Sequence, residues 1–105
     1  MSIIDKLIAS LKFKKSSKFI IKRLNELNGD LEVLDAGIDF ITNDFKDAIN
    51  YVYLDGCLEL KSDCRFSLEL LKGKIKVLKP VTTKQEEIKK EILQWFNKIS
   101  FVFLF

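Results

Sequence analysis

Cys57 and Cys64 are the strongest nucleophiles in this 105-residue chain, and nothing in the sequence activates them. A reactive thiol needs a neighbouring base or an electropositive setting, and the chain has no histidine. The same absence removes Ser-His-Asp triads, imidazole acid/base chemistry and His-ligated zinc. Two cysteines are too few for a four-cysteine metal site or a disulfide framework. Carboxylates are plentiful, with 15 Asp and Glu. They fall at helix caps and on polar faces, however, and no spacing gathers them with a lysine as a metal-dependent nuclease requires. Gly73-Lys74 has no glycine-rich loop before it, so no phosphate-binding loop is expected. The chain is therefore read as a non-enzyme with no catalytic residues, no metal and no cofactor.

The charged residues have more to say. The net charge of +3 hides three blocks. Residues 1–24 carry seven basic side chains against Asp5; residues 25–71 carry three against eleven acidic; residues 72–105 carry eight against three. Basic ends and an acidic middle decide which faces can approach which partners. Of the 18 basic residues only Arg23 and Arg65 are arginine. Bidentate recognition of a guanine edge is an arginine speciality, so base-specific DNA reading is disfavoured. No charged-then-apolar leader opens the chain and no run of 18 uncharged apolar residues exists. A cytoplasmic protein without membrane contact is the expectation.

The elements that must position these groups follow from periodicity. With 48% hydrophobic and 31% charged residues, residues 1–105 read as a single domain. Ile4, Leu7, Ile8 and Leu11 share one face of a first helix capped by Ser2. Ser16 or Ser17 starts a second helix, with Ile20, Ile21, Leu24 and Leu27 inward, and Asn28-Gly29 ends it. Asp30 caps a short third helix that Gly37 limits. Asn43 or Asp44 then caps the clearest helical stripe, Phe45, Ala48, Ile49, Val52 and Tyr53, and Asp55-Gly56 stops it. After it the period changes to two. Leu58 and Leu60, then Phe66, Leu68 and Leu70, then Ile75 and Val77 alternate with polar residues and read as strands. On such a hairpin Cys57 and Cys64 are too far apart for a disulfide. Thr82 or Thr83 caps a last helix bearing Ile88, Ile92, Trp95, Phe96 and Ile99.

Helices followed at once by a β-hairpin give the order of an α+β winged helix, a three-helix helix-turn-helix core with a β-hairpin wing. Residues 16–79 would form that core, with an extra helix at each end and residues 82–105 as C-terminal helix and apolar tail. The stretch from Asn43 to Lys61, NDFKDAINYVYLDGCLELK, places Phe45, Ala48, Ile49, Val52, Tyr53, Gly56, Leu58 and Leu60 in a characteristic order. It resembles the corresponding segment of small winged-helix middle components of bacterial ABC-three-component systems. The resemblance implies a subunit sitting between an SMC-like or Rad50-like ABC ATPase and an effector in antiviral or anti-plasmid defence.

Three groups of residues are candidates for contact with partners. The exposed side of the recognition helix would carry Asp44, Asp47, Tyr51 and Asp55, too acidic for a DNA groove and suited to a basic protein surface. Lys12, Lys14, Lys15, Lys18, Lys22 and Arg23, with Lys74 and Lys76, are candidate phosphate contacts for weak non-specific DNA binding. The run Phe101-Val102-Phe103-Leu104-Phe105 is an aggregation hazard if left open. Either this domain buries it, or Phe101, Phe103 and Phe105, extended by Trp95 and Phe96, anchor a protein interface. The function expected is a non-catalytic adaptor subunit, with an ATPase or effector as partner. A winged-helix DNA-binding transcriptional regulator and a phage-encoded inhibitor are the alternatives.

Overall fold

The computed structural model describes residues 2–103, with side chains from 2 to 99. It holds three helices: α1 (Ile3–Asp39), α2 (Tyr51–Val77) and α3 (Thr83–Phe103). A π-helical turn, Phe40–Asp44, closes the end of α1. No strand occurs among the described residues, so the expected α+β winged helix and its β-hairpin wing are not what this chain forms.

The reason lies in a second periodicity that runs through every expected break. Phe13, Ser17, Ile20, Leu24, Leu27 and Leu31 follow one another at alternating steps of four and three, and all are buried. Leu34, Ile38 and Ile41 continue the series, half-buried. On α2 the matching series is Leu54, Cys57, Lys61, Cys64, Leu68, Leu71 and Ile75, with Leu78 just past its end. Such a repeat keeps one seam of a helix against its neighbour over many turns. The two-residue alternation of the supposed strands is split by it. Leu68 and Ile75 point inward while Phe66, Leu70 and Val77 are exposed.

Glycine did not stop these helices. Gly29 and Gly37 lie inside α1, and Gly56 and Gly73 inside α2. None has a positive φ. A glycine in a helix interior costs about 1 kcal/mol relative to alanine. That is less than a single buried leucine contributes, roughly 1.5–3 kcal/mol. The three short N-terminal helices expected from the sequence are thus one helix of 37 residues. The recognition-helix segment Phe45–Tyr53 is instead a turn, followed by the start of α2, which Asn50 caps by accepting from the Tyr53 N–H at 3.2 Å.

Contacts fix the arrangement. Lys61 of α2 pairs with Asp35 of α1, and Lys74 lies over the Phe19 ring at 5.6 Å, so α1 and α2 are antiparallel. At the start of α3, Thr82 caps by accepting from the Gln85 N–H at 3.1 Å. The Gln85 amide donates to Ser10 O and Ser10 Oγ and accepts from the Val81 N–H. Lys89 of α3 donates to Lys76 O and Leu78 O, closing the carbonyl end of α2. Ser2 caps α1 as expected.

The result is a rod, 66 × 19 × 15 Å, with a radius of gyration of 18.2 Å, against about 13 Å for a compact chain of this length. It is not uniform. α3 starts beside Ser10 and is 21 residues long, so it covers only the lower part of the hairpin. The main core, from Ile20 to Leu31, Leu68 to Ile75 and Ile92 to Ile99, lies there. No residue from 32 to 67 is buried. We call the three-helix end the base and the two-helix end the tip.

Exposed Gly29 and Gly56 have open space where a Cβ would go. Gly29→Ala and Gly56→Ala should each stabilise the protein by about 0.5–1 kcal/mol, measured by urea unfolding. Destabilisation would instead place these glycines in turns.

Candidate functional site

The fold gathers the three charge blocks into two poles. Residues 2–24 and 72–103 run through the base, fifteen basic against four acidic; residues 25–71, from the upper half of the three-helix core to the tip, carry three against eleven. An antiparallel hairpin makes this inevitable from a basic–acidic–basic sequence.

At the tip, Phe40 and Phe45 meet edge to face with centroids 4.9 Å apart. Thr42 Oγ1 donates to Ile38 O at 2.8 Å, pinning the π turn. Beside them a groove of about 500 Å³ is lined by apolar residues that include Val33, Leu34, Phe40, Ile41, Tyr53 and Cys57. Asp44, Asp47, Tyr51 and Asp55 are all exposed at this end. They lie on the turn and the opening of α2, not on the exposed side of a recognition helix, which the chain does not form.

At the base, Lys12, Lys14, Lys15, Lys18, Lys22 and Arg23 ride on α1, and Lys74 and Lys76 on the last turn of α2. Phe96 is 1% exposed and belongs to the core, which removes it from the interface candidates. Trp95 is half-buried in a groove between α1 and α3, shared with Phe13, Ile21, Ile88 and Lys84. Phe101 and Phe103 lie on the helical backbone of α3, but their side chains, and all of Phe105, fall outside the described residues.

The N-terminal stripe lies outside the core. Ile4, Leu7, Ile8 and Leu11 do share a face, and all four are 59–69% exposed. The inward seam begins at Phe13, only two residues after Leu11. Two residues are about 200° of helical rotation, so the apolar face of α1 crosses to nearly the opposite side at this point. The first three turns therefore cannot bury their stripe against the same neighbours as the rest of the helix. On the stripe's own side the next turns carry Lys14, Lys15, Lys18 and Lys22. The signal was present in the spacing, as a register jump between Leu11 and Phe13.

The thiols are free and two helical turns apart on the inward side of α2. They are separate, as expected, although on a helix instead of a hairpin. Burial pushes the Cys64 thiol up, Asp30 adds to this, Arg23 opposes it and Asp63 reinforces it slightly. No cluster of His, Cys, Asp or Glu suited to a metal occurs among the described residues, and no helix there is long and apolar enough to cross a membrane. No protein-family model, curated protein or solved structure matches the chain.

The raised Cys64 pKa means a smaller thiolate fraction in the folded protein. Alkylation of Cys64 by iodoacetamide near pH 8.5 should be slower in the native state than in urea at the same pH. The unfolded thiol also ionises first as pH rises, so this group's share of stability is lost at alkaline pH. Equal native and unfolded labelling rates, read by mass spectrometry, would contradict the assignment.

Proposed function

We propose that this protein is a non-catalytic helical adaptor that docks onto a partner protein in a larger assembly through the first three turns of α1. One observation carries the reading: Ile4, Leu7, Ile8 and Leu11 face away from the chain's own core at 59–69% exposure. A contiguous apolar stripe without an internal partner is a feature of interaction surfaces, and an amphipathic helix seated in an apolar groove is a recurring mode of recognition. The lysines on the same side, Lys14, Lys15, Lys18 and Lys22, select a groove with an acidic rim.

The adaptor role rests on this geometry alone. The narrower expectation of a bridge between an SMC-like or Rad50-like ATPase and an effector came from a resemblance over Asn43–Lys61. Its wing strand is the opening of α2 here, so the resemblance adds no support. The regulator alternative needs a recognition helix and a wing, and the described residues contain no such pair.

The test is affinity capture from the native cell after nuclease treatment, comparing the natural protein with a Leu7→Asp/Ile8→Asp variant. A stoichiometric protein partner should be recovered, and its yield should fall at least about tenfold in the variant, as loss of an interface anchor does. The melting temperature should be unchanged, because both side chains are exposed. Equal recovery with the variant would sink the proposal. A partner lost on nuclease treatment would indicate tethering through nucleic acid.

A further inference from the structure

We infer that the groove between α1 and α3 binds a free single-chain amphiphile with an anionic head, of the fatty-acid type. The site does not depend on the adaptor reading, although Lys14 and Lys18 border both surfaces.

The groove encloses about 560 Å³, within the range of roughly 300–1,000 Å³ usual for small-molecule sites. Its two walls run in the same direction. α3 starts where Gln85 bonds Ser10, and its later residues Ile92, Phe96 and Ile99 join the core of Ile20 to Leu31. Ser10 and Ile21 therefore mark the two ends on α1, as Thr82 and Trp95 do on α3. The helical rise from Ser10 to Ile21 makes a trough about 16 Å long.

The two ends differ in chemistry. The floor is apolar, with Phe13 and Ile92 buried and Ile21, Ile88 and Trp95 half-buried. Ile21 and Trp95 give the upper end an apolar lining. At the lower end Lys14 and Lys84 stand on opposite walls, one helical turn beyond Ser10 and next to Gln85. Between the ends, Lys18 on one wall offsets Glu91 on the other. The lining thus carries three lysines against one carboxylate. The ion pairs among the described residues are Arg23–Glu26 and Lys61–Asp35, so none of these three lysines is neutralised in that way. On α1, no acidic residue follows Asp5 until Glu26. The N-terminus of α3 opens at the same lower end and adds its own partial positive charge.

Charge and shape together select the occupant. A small anion would leave the apolar floor uncovered, and a neutral chain would leave the lysines unanswered. A carboxylate has two oxygens for the two ammonium groups of Lys14 and Lys84. Its chain then lies along Ile88 and Ile21 to Trp95, which it removes from water. A partner helix is too bulky: about 10–12 Å across with its side chains, it would fill roughly 1,300 Å³ or more over this length.

Trp95 is the one tryptophan of the chain, so its fluorescence reports on the upper end. Titration with dodecanoate below its critical micelle concentration should shift the emission to the blue and saturate at one site per chain. The dissociation constant should rise at least about tenfold for a Lys14→Glu/Lys84→Glu variant. Both lysines are exposed, so the melting temperature of that variant should be unchanged. Dodecyltrimethylammonium, with the same chain and a cationic head, should bind at least about tenfold more weakly than dodecanoate. The Leu7→Asp/Ile8→Asp variant should bind dodecanoate as the natural protein does, which separates this site from capture of a protein partner. A response that never saturates, equal binding of the cationic amphiphile, or unchanged affinity in the lysine variant would overturn the site. So would loss of dodecanoate binding in the Leu7→Asp/Ile8→Asp variant, since that places the amphiphile on the stripe.

Discussion

Everything else in this molecule depends on the meeting of two seams with the same repeat, Phe13 to Ile38 on α1 and Leu54 to Ile75 on α2. Because both keep steps of three and four, the helices stay in register from base to tip. The seam holds Gly29, Gly37, Gly56 and Gly73 in helical conformation, and each of those residues alone would favour a break. It also admits one charged member. Lys61 sits where a leucine would fit, and Asp35 on the facing helix satisfies it. The ion pair sets the register of the upper part, where the apolar contacts are thinnest. At the base the Gln85 amide does the corresponding work for α3, joining it to Ser10.

Much of the helical content was legible in the sequence, and its continuity was not. The caps at Ser2 and Thr82 and the inward positions Ile20, Leu24, Leu27, Ile92 and Ile99 are where local chemistry and spacing placed them. The errors share one origin. Glycine and Asx residues act as punctuation in a short stretch of chain, because locally that is their preference. A helix stabilised along its whole length by another helix overrides such preferences at about 1 kcal/mol apiece. The Leu-x-Leu runs between residues 58 and 70 satisfy a strand pattern and a helix pattern equally. Only the longer series from Leu54 to Ile75 separates them.

The candidate surfaces show the same division. The acidic residues Asp44, Asp47 and Asp55 are near one another in sequence, and all three are exposed at the tip end. The basic pole was visible only as two distant blocks, and the hairpin had to close before they became one surface. Phe96 reads both as part of the last helix's apolar face and as an extension of the aromatic tail, and the structure puts it in the core. On a helix, adjacent residues point about 100° apart, and here one enters the core while the other edges a groove.

The bond between Gln85 and Ser10 spans 75 positions, and this has a consequence for the order in which a growing chain acquires its structure. The turn at residues 45–50 brings the ends of α1 and α2 together early, and the pair zips downward from that closed end with little loop entropy to overcome. α3 emerges after both and completes the base. Until it arrives, Phe13 and the lower seam have one neighbour in place of two, so a stalled or truncated nascent chain presents bare leucine and phenylalanine. The interval before α3 docks is the period in which this protein is most in need of a chaperone.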